Sequence, residues 1–125
     1  MSAVVLPGRP EAAAGAREFA AKALAGYPAA DNAITALNEM VTNAVQHSRS
    51  GLPGGSIEVR LTVTDSSVLA EVLDAGPLGV PAVTSRETWA EHGRGLVLVE
   101  ALTRAWGSVG NGVWWFWLPL GGEPQ

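Results

Sequence analysis

The sequence contains no cysteine, which removes disulfides, thiolate chemistry and cysteine-ligated zinc or iron–sulfur centres from consideration. Basic residues are few, with 8 Lys plus Arg against 12 Asp plus Glu and a formal net charge of -4. A surface that neutralises many phosphates of a nucleic acid needs the opposite balance, so direct nucleic-acid binding is not expected. No apolar run approaches the ~20 residues of a membrane span, and Met1 to Pro10 has no basic stretch leading into an apolar one. The expectation is one cytoplasmic domain over residues 1–125 with no membrane contact. A chain of 125 residues with 47% hydrophobic content can bury one core but not two.

Within that frame the periodicities give an order of elements. Ala3 to Leu6 reads as a brief edge strand or a loose terminus. Ala12, Ala16, Phe19, Ala20 and Ala23 recur at helical spacing until Gly26-Tyr27-Pro28. A second helix is expected to open near Asp31 and end around Ser48, with Ile34, Leu37, Val41, Ala44 and Val45 as its apolar stripe. Gly51 to Gly55 is a loop. Ile57, Val59, Leu61 and Val63 then alternate with Glu58, Arg60, Thr62 and Thr64, the mark of a strand buried on one face. Asp65-Ser66-Ser67 connects it to a strand at Val68 to Leu73, giving an antiparallel hairpin. Ala75 to His92 has no sustained period, and a connection of that length inside a small domain is commonly a lid or binding loop. A third helix is expected from Gly95, with Leu96, Val99, Leu102 and Trp106 on one side and Gly107 as its end. Gly112 to Leu120 is the closing strand. This order predicts an α+β fold, a mostly antiparallel sheet with helices packed on one face.

Three short segments carry candidate chemistry. Glu39, Asn43 and His47 are spaced four apart, which sets them in one polar row, roughly opposite the apolar stripe. Asp74 is a carboxylate at the end of an apolar strand and is followed by Ala75-Gly76, a combination that also occurs at ordinary strand-to-turn junctions. Gly93-Arg94-Gly95 precedes Leu96 at a helix start, where glycine permits close approach and free N–H groups attract phosphate.

In order, Asn38 to Ser48 (NEMVTNAVQHS), Asp74-Ala75-Gly76 and Gly93-Arg94-Gly95-Leu96 resemble the three ATP-binding boxes of the GHKL superfamily. The likeness is greatest to the stand-alone anti-sigma regulatory serine kinases of actinobacteria, and it extends from Leu6 to Leu120, including Ala16-Arg17-Glu18-Phe19. It implies a Bergerat-type two-layer sandwich that binds ATP with Mg²⁺. Asn43 would ligate the metal and Glu39 would act as the base that takes a proton from the attacking hydroxyl. Asp74 would accept a hydrogen bond from the adenine amino group, Gly76 would leave room for the base, and Gly93, Arg94, Gly95 and Leu96 would border the phosphates. His47 continues the row among the nucleotide-binding candidates, with no role of its own assigned. The implied partners are a sigma factor to be sequestered and a STAS-type anti-anti-sigma protein to be phosphorylated on serine.

Two departures from the family pattern point to a second reading, a non-catalytic interaction module of the same fold, with or without nucleotide. Val113 stands where relatives commonly carry a threonine that helps to hold adenine, and the loop from Ala75 to His92 is poor in basic residues, with Arg86 inside it and Arg94 just beyond. Trp114, Trp115, Phe116 and Trp117 place aromatic side chains on both faces of the closing strand. A homodimer surface is therefore expected on the face turned from the helices, unless the N-terminal segment covers it or the tryptophans are simply core.

Overall fold

The computed structural model describes residues 1–76, 94–110, 112–122 and 124. These residues form strand β1 (Ser2–Pro7), helices α1 (Glu11–Ala23) and α2 (Ala30–His47), a short 3-10 turn (Arg49–Gly51), strands β2 (Ser56–Thr64) and β3 (Ser67–Leu73), helix α3 (Arg94–Leu102), and strands β4 (Ala105–Ser108) and β5 (Val113–Pro119). The sheet has the order β1-β2-β3-β5-β4, and each neighbouring pair is antiparallel. This is the expected α+β arrangement, and the N-terminal strand lies at one edge of the sheet.

The period-2 alternation of β2 and β3 has the expected consequence. Ile57, Val59, Leu61, Val68, Ala70 and Val72 are buried, and together with Phe116 and Leu118 of β5 they meet Ala16, Ala20, Leu37, Met40, Val41 and Ala44 of the helices in one core. Small alanines on α1 let that helix lie close to α2. Side chains of this kind contribute about 1.5–3 kcal/mol each when a large one is fully buried, and Phe116, Leu24, Leu37, Met40 and Ile57 are the largest of the fully buried ones. Arg17 of α1 also donates to the side-chain oxygen of Asn38 on α2.

Helix α2 starts at Ala30, one residue ahead of Asp31, and no side chain caps it. The preceding residue is instead held by the closing strand, through a hydrogen bond of 3.0 Å from the Ala29 N–H to the Leu120 carbonyl. The β2–β3 hairpin turns on Asp65 and Ser66, whose φ values of 51° and 63° are the two positive angles a type I′ turn requires.

One element departs from the periodicity. The third helix ends at Leu102, not at Trp106, and Ala105–Ser108 is a four-residue edge strand paired with β5. Thr103 ends the helix by turning both its N–H (3.1 Å) and its hydroxyl (2.7 Å) onto the Val99 carbonyl, and the Arg104 N–H then bonds to Trp117 O at 3.0 Å. Gly107 therefore serves the strand. A Cβ there would lie 3.0 Å from the Trp115 indole nitrogen.

The register also sorts the aromatics. Phe116 pairs with Trp106 and Ala70 on the helix side, whereas Trp115 pairs with Glu71 and Gly107, and Trp117 with Leu69 and Ala105, on the other. Trp115 and Trp117 are half-buried. The N-terminal segment does not cover them, since β1 pairs with β2 at the far edge of the sheet. Among the described residues no helix is long and apolar enough to cross a membrane.

Candidate functional site

Helix α2 carries the first group of candidates. Glu39, Asn43 and His47 are each half-buried, while Asp31, Asn32, Thr35 and Gln46 are exposed. The row therefore flanks the core stripe and does not oppose it. A step of four residues is about 400° at 3.6 residues per turn, so an i, i+4 row drifts by about 40° at each step. Starting from Glu39, that drift carries the row toward the buried Met40, Val41 and Ala44. Half-burial limits the water around Asn43 and leaves its amide on a boundary between core and solvent.

The second group sits where β3 ends. Asp74 is half-buried, and its Oδ1 accepts the Gly76 N–H at 2.7 Å. Among the described residues its other oxygen accepts no hydrogen bond. Burial pushes the Asp74 carboxyl above its ordinary value, and the Gly76 N–H, which favours the charged form, opposes part of that shift. A half-desolvated carboxylate with one oxygen committed to the backbone can accept a hydrogen bond from outside. Gly76 is buried at a φ of 92°, a conformation that favours glycine, so position 76 itself places no side chain beside Asp74.

Neighbouring segments hold this turn. The Asp74 N–H donates to Gly112 O at 2.7 Å, the Ala75 N–H to Ser50 Oγ at 2.8 Å, and the Arg49 N–H to Gly76 O at 2.8 Å. Gly112 has a φ of 105°, and a Cβ on it would lie 2.5 Å from the Asp74 carbonyl oxygen and 2.9 Å from Oδ1. The 3-10 turn after α2 and the residue preceding β5 thus both close on the Asp74 turn. Periodicity gave no sign of Ser50 or Gly112. The first depends on a hydrogen bond spanning 25 residues, and the second on a contact across the sheet.

The third group is described in part. Arg94 and Gly95 open the backbone of α3, which packs against α2. Leu96 is 4% exposed and belongs to the core, so any contribution to a phosphate site comes from its backbone. Gly93 and the connection through residues 77–93 lie outside the described residues. Val113 pairs with Leu73. Strand alternation sets both on the face opposite Val72 and Trp114, so a hydroxyl at 113 would point away from the helix side of the sheet.

The donors present fit the nucleotide and its cation in different ways. Among the described residues there is no group of three or more His, Asp or Glu side chains that could hold a metal alone. Asn43 offers a single amide oxygen, which suits Mg²⁺, a cation that keeps several waters and is shared with phosphates. Asp74 offers an acceptor and Gly76 adds no side chain next to it, which suits a flat base carrying an amino group.

Helices on one face of an antiparallel sheet, with a polar helix row and a strand-end Asp-x-Gly turn tied to the segment that follows that helix, define an α+β sandwich domain. The chain belongs to the histidine kinase-like ATPase domain family, whose model matches residues 6–114. No curated protein matches it. Membership in the family supports an ATP-binding regulatory role.

Proposed function

We propose that the protein is an ATP-dependent serine/threonine-protein kinase that acts as an anti-sigma factor, phosphorylating a STAS-type anti-anti-sigma partner and sequestering a sigma factor. The observation that carries this reading is that the Asp74-Ala75-Gly76 turn is hydrogen-bonded to Arg49 and Ser50, in the segment directly after the helix of Glu39 and Asn43. Adenine recognition and phosphate chemistry would then share one rigid frame.

In this reading the Asp74 carboxylate accepts from the adenine amino group and Gly76 makes room for the ring. Asn43 ligates Mg²⁺, and the backbone at Gly93, Arg94, Gly95 and Leu96 borders the phosphates. Glu39, one turn before Asn43, takes the proton of the partner's serine hydroxyl as its oxygen bonds to the γ-phosphorus and ADP leaves. His47 extends the same row toward the turn. Family membership and the order of the boxes in the chain support this assignment.

Incubation with γ-labelled ATP, Mg²⁺ and a STAS-type partner should label the partner on serine. Glu39→Ala should bind ATP and transfer nothing, and undiminished transfer by that variant would remove Glu39 as the base. The interaction module is the outcome in which no label is transferred while the partner is still bound, and calorimetric heat with Mg²⁺-ATP, or its absence, separates its nucleotide-binding and nucleotide-free forms.

A further inference from the structure

We propose that Ser50 is a positioning residue for the nucleotide site, fixing the turn that presents the Asp74 carboxylate. The inference rests on the reading above, in which Asp74 recognises the adenine amino group.

Ser50 is fully buried, at 0% exposure, and lies outside all three boxes. Its backbone is fixed on both sides. The Ser50 N–H donates to Ser48 Oγ at 3.0 Å, and that hydroxyl donates to the Ala44 carbonyl at 2.6 Å, one residue beyond Asn43. On the carbonyl side, a Cβ on Gly8 would lie 1.6 Å from Ser50 O, and one on Gly55 2.0 Å from it. Both separations are far below contact distance, so the chain closes around this carbonyl only because those positions have no side chain.

From that fixed backbone the Ser50 Oγ reaches across to accept the Ala75 N–H at 2.8 Å. Ala75 lies between the two residues that meet at Asp74 Oδ1, because the Gly76 N–H donates to that oxygen at 2.7 Å. Four hydrogen bonds, joined covalently within Ser50 and between Ala75 and Gly76, therefore run from the last turn of helix α2, through Ser48 and Ser50, to the carboxylate. The parallel bond from Arg49 N to Gly76 O, 2.8 Å, involves only backbone, so truncating the Ser50 side chain does not remove it. Removing the hydroxyl thus frees the Ala75 amide and loosens the backbone between Asp74 and Gly76, on which the Gly76 N–H to Asp74 Oδ1 bond depends, while the turn remains attached. A serine that merely satisfied a buried amide would affect stability and leave base recognition alone.

The test measures base discrimination by calorimetry on the full chain, titrating Mg²⁺-ATP and Mg²⁺-inosine triphosphate, whose base has an oxygen in place of the 6-amino group. The unaltered protein should prefer ATP, and Asp74→Asn should lose that preference. Ser50→Ala should melt cooperatively, bind ATP about tenfold more weakly, as loss of one hydrogen bond to a critical group predicts, and lose most of the preference. Ser50→Cys, with a longer and weaker acceptor, should fall between, and it carries the test if Ser50→Ala fails to fold. A preference that depends on Asp74 yet is unchanged in both Ser50 variants overturns the role of Ser50 alone. Absence of ATP binding by the unaltered protein overturns the reading of Asp74 and this inference with it.

Discussion

Gly112 faces Asp74 so closely across the β3–β5 pair that a methyl group on its Cα would stand 2.5 Å from the Asp74 carbonyl oxygen, and its φ of 105° already lies where side chains are strained. Gly112→Ala therefore meets two penalties, a backbone conformation that costs about 1–3 kcal/mol and a contact with backbone that cannot yield cheaply. Urea denaturation should show a loss of about 2 kcal/mol or more, on the same scale. ATP affinity should fall as well, because the displaced atoms belong to the residue proposed to read the base. An alanine variant with unaltered stability would mean that the strand start can relax away from Asp74.

Asp74 makes a pH-dependent contribution of a definite sign. Burial raises its folded value above the ordinary one, so the folded state holds the proton more tightly than the unfolded state, where the value is about 3.9. The favourable contribution is complete below the unfolded value and is lost as pH rises through the folded one. Asp74→Asn is neutral throughout and can still accept the Gly76 N–H. Its melting temperature should equal or exceed that of the unaltered protein at pH 8, and the difference should shrink toward about pH 4, near the unfolded value. ATP affinity in the same variant should fall about tenfold or more, as loss of a charged acceptor predicts. Thermal scans across that range and one titration check both statements.

The hairpin turn offers a gain. Ser66 holds a φ of 63°, and a left-handed conformation costs an ordinary residue about 1–2 kcal/mol, of which glycine recovers all but its own entropic cost. The Ser66 carbonyl, which accepts the Leu120 N–H at 2.6 Å, is backbone and is kept on substitution. Ser66→Gly should stabilise the fold by about 0.5–1 kcal/mol. Asp65→Gly should gain less, because aspartate tolerates that region better than serine does. Chemical denaturation of the two single variants gives the comparison.

Most elements were legible because they repeat with their own local period. The alternation over Ile57 to Val63 and the spacing of Leu37, Val41 and Ala44 each encode a buried face without reference to anything distant. The stretch after Leu102 was not legible, since Trp106 continues the spacing of Leu96, Val99 and Leu102. What makes Ala105–Ser108 a strand is its pairing with β5, a partner that no local window contains. The candidate site divides in the same way. Glu39, Asn43 and Asp74 stand out by residue type and spacing, whereas Ser50 and Gly112 matter through what the fold brings against them. A flat count of fours likewise sets the helix row opposite the apolar stripe, whereas the drift of the helix turns that row toward the core and half-buries it.

Asn43 and Glu39 lie one turn apart on α2 and are both half-buried, yet the proposed chemistry gives them separable signatures. An amide oxygen that ligates Mg²⁺ contributes only when the cation is present. Asn43→Ala should therefore bind ATP with the affinity that the unaltered protein shows in excess chelator, and adding Mg²⁺ should not improve it. Glu39→Gln keeps the shape and polarity of the side chain and removes only its basicity. That variant should retain Mg²⁺-dependent binding and lose phosphoryl transfer by about 100-fold or more, the scale of general-base contributions. Titrations with and without Mg²⁺, paired with single-turnover transfer assays, resolve the two. Equal loss of Mg²⁺ dependence in both variants would assign the two residues to one metal site and leave the base to be found elsewhere.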